Sequence, residues 1–284
     1  MNTTHTTPQT FTDRVAVVTG AGGTLCSPIA ADLAARGAKV ALVGRSRERL
    51  EPVADAIAQA GGHTLITPAD VTDPDQLAAA HDAIERHLGP CSLLVNGAGG
   101  NQASAVTQPT RFDPAELSDD IGGFFNLDLD AFGDVLTANT MGTVLPCRVF
   151  GRDLVKTGRG AVLNFTSMNA YRPLTRVAAY AMAKAAIANF TQWLAVYLAP
   201  ANVRVNAIAP GFFVNDRSRR ILYTDTGDLA PRGEQVMDHT PLGRFGRAEE
   251  LLGCARWLLD DDQSAFVTGQ TVPVDGGFLA SAGV

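Results

Sequence analysis

Metal-binding and redox residues are scarce in this chain. Five histidines and four cysteines stand in 284 residues, with neither an HExxH nor a CxxC spacing among them, which argues against a metal centre. Cys26, Cys91, Cys147 and Cys254 sit inside apolar segments, as reduced thiols of a cytoplasmic protein do. Positive charge is also in deficit, with 23 Lys and Arg against 29 Asp and Glu and a net charge of −6; that excludes a broad nucleic-acid or anionic-membrane surface. No uninterrupted apolar run approaches the roughly 18 residues of a membrane span. The opening MNTTHTTPQT has no basic or apolar region of a signal peptide, so residues 1–10 are expected to be a disordered tail. No linker divides the rest, and residues 11–284 read as one domain. With 46% hydrophobic and 18% charged residues, the chain can bury a sizeable core.

What is present is a regular alternation. Short β-branched or apolar runs (VAVVTG, KVALVG, HTLITPAD, CSLLVNGAG, GAVLNFTS, NVRVNAIAPG and TGQTVPVDGG) alternate with helical patterns, including long ones near 131–157 and 178–199. Runs that are apolar throughout suit strands covered on both faces. Strands interleaved with helices predict an α/β fold, a doubly wound sheet of seven parallel strands with right-handed crossovers. Ligands of such sheets lie beyond the carboxyl ends of the strands.

At the first of those ends stands VVTGAGGTLCSPIAADLAARG, residues 17–37. A strict GxGxxG read from Gly20 fails, because Leu25 takes the last glycine position. Gly20, Gly22 and Gly23 still supply turn flexibility. A phosphate here depends mostly on backbone N–H groups and the helix dipole, so Thr24 and Leu25 are candidate contacts. Pro28 falls in or near the first helical turn, where its missing N–H costs little. The other reading is a glycine-rich turn that holds no ligand. At the end of the second strand an acidic residue suits NAD and an arginine NADP; Gly44 and Arg45 stand there, with Arg47 nearby, so NADP is favoured over NAD. Arg45 also reads as an ordinary solvated charge.

The chemistry is concentrated in SMNAYRPLTRVAAYAMAKAAI. Tyr180 and Lys184, four apart on a helical pattern, share one face, and Ser167 closes a strand thirteen residues before the tyrosine. A free phenol titrates near pH 10, and a neighbouring ammonium and an oxidised nicotinamide lower that value. Proton transfer to or from a substrate oxygen then becomes feasible, with Ser167 orienting the same oxygen.

Asn139, Ser167, Tyr180 and Lys184 in this order, together with the TGxxxGxG-like loop, resemble the short-chain dehydrogenase/reductase family from about residue 11 to the end. Thr24 and Cys26 replace that family's second and third loop glycines. The resemblance implies a Rossmann-type single domain and gives Asn139 the part of holding a water that links the lysine to solvent. It places Asp70 and Val71 against the adenine, though Asp70 also reads as the N-cap of the helix near Pro74. Asn96, Gly97, Ala98 and Gly99 resemble the family's NAG turn, and Pro210, Gly211 and Phe213 its PG turn toward the nicotinamide. Asn215 stands where a threonine is common. Within the family, GTLC, SMNAYRPLTR, FTQWLAVYLA and APGFF resemble the mannonate oxidoreductase and fructuronate reductase branch, which acts on sugar acids. Asn169, Arg172 and Arg217 are the candidate substrate ligands, with Arg176, Arg219, Arg220 and His239 also near; segments 101–130 and 212–243 are expected to wall the substrate side. Another polyol, keto acid or carbonyl substrate is the alternative. So are a nucleotide-binding regulatory protein without turnover and a lyase or epimerase. The resemblance also implies a homotetramer.

Overall fold

The computed structural model describes residues 9–118 and 121–282. The expected tail falls, except for residues 9 and 10, outside the described residues. The apolar runs become strands and the amphipathic stretches become helices, in chain order. Val15–Thr19 (β1) leads through the glycine turn into Cys26–Ala35 (α1), followed by Lys39–Gly44 (β2), Arg47–Gln59 (α2), His63–Pro68 (β3) and Pro74–His87 (α3). Leu93–Asn96 (β4) precedes a stretch of loops and short 3-10 turns that ends at the long helix Leu129–Lys156 (α4). Then come Gly160–Phe165 (β5), Ala178–Leu198 (α5) and Val203–Pro210 (β6). Asp216–Leu222 (α6), Pro231–Asp238 (α7) and Leu252–Leu259 (α8) lead to Thr271–Val274 (β7).

The seven strands form one parallel sheet in the order β3-β2-β1-β4-β5-β6-β7. Alternation along β1 divides the core between two faces. Ala16 and Val18 join Ile29, Leu33, Leu50, Ile57 and Leu258, while Val15 and Val17 join Leu77, Ile84, Phe150, Leu154 and Leu194. Inner strands such as β5 and β6 are buried at every position; the edge strands β3 and β7 are only partly covered. Pro273 in β7 is tolerated because an edge strand leaves one row of N–H groups unpaired.

The seven strands and the two long helices lie where their patterns predict. Three shorter helices, α6, α7 and α8, were not anticipated; α6 and α7 fold within the polar 212–243 segment. One alternative is corrected: the N-cap of α3 is Asp73, whose carboxylate accepts from the N–H groups of Asp75 and Gln76, and not Asp70. Proline at the first helical position, Pro74, places the cap directly before it. Chain reversal occurs between β1 and β4, so the crevice of the sheet opens at the carboxyl ends of these two strands. Among the described residues no helix is long and apolar enough to cross a membrane, and no group of three or more His, Cys, Asp or Glu side chains is arranged to hold a metal.

Candidate active site

The turn after β1 is built for close backbone packing. Gly20 has φ +65, and a Cβ there would stand 2.8 Å from Gly97 O. A Cβ at Gly22 would stand 2.8 Å from Arg49 O, so α2 closes over the loop. Thr19 fixes the neighbouring turn: its hydroxyl accepts from the N–H groups of Gly97 at 3.1 Å and Ala98 at 3.3 Å. Cys26, in the place of a glycine, opens α1 and packs its sulfur against the Cα of Gly97, where a Cβ would collide with it. Burial pushes its thiol up to about 12, so it is a packing group.

This loop suits a dinucleotide pyrophosphate on its own geometry. α1 has no side-chain cap and no acidic residue in its first turn, unlike α3 and α4, whose Asp73 and Asp128 cap them. Among the described residues no protein acceptor meets the backbone N–H of Thr24 or of Leu25, which leaves donors and the positive end of the helix dipole directed outward.

Around it lie the other predicted nucleotide residues. Arg45 is exposed at the end of β2. Asp70 accepts from the N–H and hydroxyl of Thr72 at 2.9 and 2.7 Å, and these bonds hold its carboxyl below the usual range. Val71 is buried beside Gly142 of α4. Asn96 is fully enclosed; its amide donates to Asn164 Oδ1 at 2.9 Å and to Cys147 Sγ at 3.1 Å, so its side chain braces β4 against β5. Gly211 pairs with Val274 O at 2.9 Å, and a Cβ there would sit 2.6 Å from Asp275 Cα. The Phe213 ring packs on Gly246 and the core.

The reactive set gathers at the ends of β5 and α5. Ser167, two residues past β5 and buried, accepts from Asn169 N at 3.2 Å through its hydroxyl, and lies near enough to Tyr180 to favour the phenol's ionised form. Lys184 lies one turn on from Tyr180; its ammonium donates to Phe165 O at 2.9 Å and stands 5.5 Å from the centre of the phenol ring. Within the chain itself burial dominates both groups. It pushes the Tyr180 phenol up, against the influence of the nearby Ser167 hydroxyl, and brings Lys184 down to about 8. The acidified phenol expected from Lys184 is therefore not a property of the chain alone, because the lysine's nearest bonding partner is a backbone carbonyl. Asn139 is buried in α4. Its amide donates to Gly100 O and Val135 O, each at 2.7 Å, and its carbonyl accepts from Gly100 N at 3.1 Å. It thereby ties the glycine turn after β4 to α4.

The predicted substrate residues divide. Asn169 is buried beside Ser167, donating weakly to its hydroxyl at 3.4 Å and accepting from Leu174 N at 2.9 Å. Arg172 is turned to the C-terminal segment, where it donates to Ser281 O at 2.6 Å. Arg217 belongs to α6, and its side chain lies outside the described residues. Asn215 accepts from Ser218 N at 2.9 Å at the start of α6, Arg219 stacks on Tyr223 at 5.2 Å, and His239 contacts Gln235 O at 2.8 Å. Two residues went unnoticed in the sequence: Arg49 over Gly22, and Phe165 through its carbonyl. Backbone partners carry no side-chain signal.

Similar proteins agree with this architecture. The family described as Enoyl-(Acyl carrier protein) reductase matches residues 20–279. An uncharacterized oxidoreductase of Bacillus subtilis, UxuB, is 43% identical, covering 95% of this chain and 96% of its own. A crystal structure from Haemophilus influenza, provisionally assigned as a D-mannonate oxidoreductase and containing NAD, superposes with a TM-score of 0.90 at 42% identity over 96% of this chain and 97% of that one. A gluconate 5-dehydrogenase of Burkholderia cenocepacia, in complex with NADP and tartrate, reaches a TM-score of 0.81 at 27% identity over 95% and 97%. The chain thus belongs to the short-chain dehydrogenase/reductase family, as an oxidoreductase that acts on CH–OH groups with a nicotinamide dinucleotide.

Proposed function

We propose that the protein interconverts a secondary alcohol and a ketone on a sugar acid of the fructuronate or mannonate type. The observation that carries this reading is the grouping of Ser167, Tyr180 and Lys184 at the open edge of the sheet, with the Lys184 ammonium held by Phe165 O at 2.9 Å and 5.5 Å from the centre of the phenol ring. When bound, the nicotinamide supplies or takes up the hydride. Tyr180 delivers the proton to the substrate oxygen in reduction and removes it in oxidation, and Ser167 donates to the same oxygen and fixes its direction. Lys184, held by Phe165 O, stands beside the phenol, and its charge, together with that of the oxidised nicotinamide when bound, would offset the burial that keeps the phenol neutral. Asn139 keeps the Gly99–Gly100 turn in place.

Gly20, Gly22, Gly23, Thr24 and Leu25 would hold the dinucleotide, with Asp70, Val71, Ala98, Gly99, Pro210, Gly211 and Phe213 flanking it. Arg45, close enough for its charge to act on Asp70, supports NADP as the preferred form, although the Haemophilus structure carries NAD. The sugar-acid substrate is supported by that protein's provisional assignment and by the gluconate 5-dehydrogenase. In this reading residues 11–284 form the domain, and the 101–130 and 212–243 segments wall the substrate. Exposed Met182, Trp193, Val196 and Tyr197 on α5 and Met141 and Val155 on α4 support a homotetramer packed through these helices, and the four free thiols a cytoplasmic location. Reduction of fructuronate with NADH and with NADPH, followed side by side at ~340 nm, the wavelength at which reduced nicotinamide absorbs, tests the proposal. Turnover with NADPH in excess is the expected outcome; absence of turnover with either cofactor rejects the substrate.

A further inference from the structure

Beyond β5 the chain enters a short 3-10 turn, Met168–Ala170, that closes back on Ser167. Ala170 N donates to Ser167 O at 2.9 Å and Asn169 N to Ser167 Oγ at 3.2 Å, a local side-chain-to-backbone pattern that serine favours at turns. Asn169 aims a second donor at the same oxygen. Its Oδ1 accepts from Leu174 N at 2.9 Å, and because an N–H can meet only the oxygen end of an amide, that bond fixes which way the group points. Nδ2 is thereby turned to Ser167 Oγ, at 3.4 Å. Ser167 and Asn169 are both buried, so solvent has little access to these bonds.

A serine hydroxyl offers two lone pairs and one proton. With Asn169 N and Nδ2 both directed at the oxygen, what remains is the proton, which makes Ser167 a donor and denies it the part of acceptor. That is the polarity the reaction needs. A ketone oxygen, or the alkoxide formed as hydride arrives, can only accept, and a serine that accepted from Tyr180 would draw off the proton due to the substrate. Ser167 favours the ionised form of Tyr180, as a donor does and an acceptor does not. We propose that Asn169 is a positioning residue: by occupying the lone pairs of Ser167 it commits that hydroxyl to donate toward the substrate oxygen. The inference rests on the proton-transfer roles given above to Tyr180 and Ser167, and not on which sugar acid is bound.

The test exploits the two ends of the amide. Asn169→Asp keeps an oxygen for Leu174 N but sets a second oxygen opposite Ser167 Oγ, where it draws the hydroxyl proton to itself; Asn169→Ala removes both bonds. The rate kcat is read for fructuronate reduction and for gluconate oxidation, at saturating substrate and dinucleotide, in the wild-type and Ser167→Ala backgrounds. Loss of the Ser167 hydrogen bond to a charged oxygen predicts that kcat falls about 10- to 100-fold in Asn169→Asp and less in Asn169→Ala. Either change should cost under about threefold once Ser167 is alanine, and the Kd of the dinucleotide should not move. A residue that only fastened the loop would give the reverse order, since aspartate keeps the Leu174 bond. That order, or losses undiminished in the Ser167→Ala background, overturns the proposal; should Asn169→Asp fail to fold, the Asn169→Ala cycle decides. A substrate-free readout stands beside the kinetics. The midpoint of Tyr180 phenolate formation, from absorbance differenced against Tyr180→Phe, should rise in Asn169→Ala and in Ser167→Ala without adding in the double variant, and an unmoved midpoint in Asn169→Ala also overturns the proposal. If neither sugar acid turns over, the sugar-acid reading falls and that titration alone decides the role of Asn169.

Discussion

Replacement of Gly97 by alanine probes how this chain holds its nucleotide loop with a cysteine in a glycine place. A Cβ at residue 97 would land on Cys26 Sγ and lie 3.2 Å from Thr19 O. Neither neighbour can retreat easily: Cys26 is buried at the start of α1, and the Thr19 hydroxyl is bonded to the N–H of Gly97 itself. Overpacking of this kind costs about 1–3 kcal/mol, and at roughly 2–4 °C per kcal/mol for a domain of this size the Tm should fall by about 2–12 °C. The Kd for the dinucleotide should weaken too, since the 97–99 turn and the 20–25 loop are fastened to each other. Cys26→Gly removes the colliding sulfur, so the double variant should regain part of the loss while Thr19 O remains close. Thermal unfolding followed by circular dichroism, with dinucleotide affinity measured by fluorescence, reads the cycle. A wild-type Tm for Gly97→Ala, or strictly additive losses in the double variant, would refute the reasoning.

Two further outcomes follow from buried polar groups. Asn164→Ala leaves the Asn96 amide without its oxygen partner and Thr191 without the amide it accepts from; stability in urea should drop by about 1–3 kcal/mol, with the m-value unchanged. Lys184→Met gives a pH signature. The folded lysine titrates near about 8, against roughly 10.4 when unfolded. Between those values the unfolded chain binds a proton the folded one has lost, so Lys184 makes stability rise with pH across that window. The buried thiols of Cys91 and Cys147, whose shifts do not involve Lys184, act in the opposite direction in both proteins and cancel in the difference. Denaturation from pH 7 to 10 should therefore show wild type gaining up to roughly 3 kcal/mol relative to the Met variant; a flat difference contradicts the depressed lysine.

The sheet was legible because its inner strands are buried on both faces, which leaves apolar runs such as VAVV of β1 and VALV of β2. The two long helices were legible from their length and periodicity. Spacing alone put Tyr180 and Lys184 on one face and Ser167 at a strand end, and the structure sets the Lys184 ammonium 5.5 Å from the Tyr180 ring with Ser167 buried nearby. What remained hidden depends on partners far apart in sequence or on backbone atoms. Phe165 O holds Lys184 across nineteen residues, and Gly100 holds Asn139 across thirty-nine. The cap reading of Asp70, offered beside its adenine role, fails because Asp70 and Asp73 are equivalent by residue type, and only the proline at the first helical position distinguishes them.

The central claim is that the Tyr180 hydroxyl moves the proton of the reacting oxygen, and Tyr180→Phe tests it most directly. With the sugar acid at saturation and the dinucleotide Kd measured separately, the account predicts that kcat falls by about 10²- to 10⁴-fold while dinucleotide affinity stays within about threefold, because the pyrophosphate is held by the loop after β1. Wild-type turnover by the phenylalanine variant would contradict it.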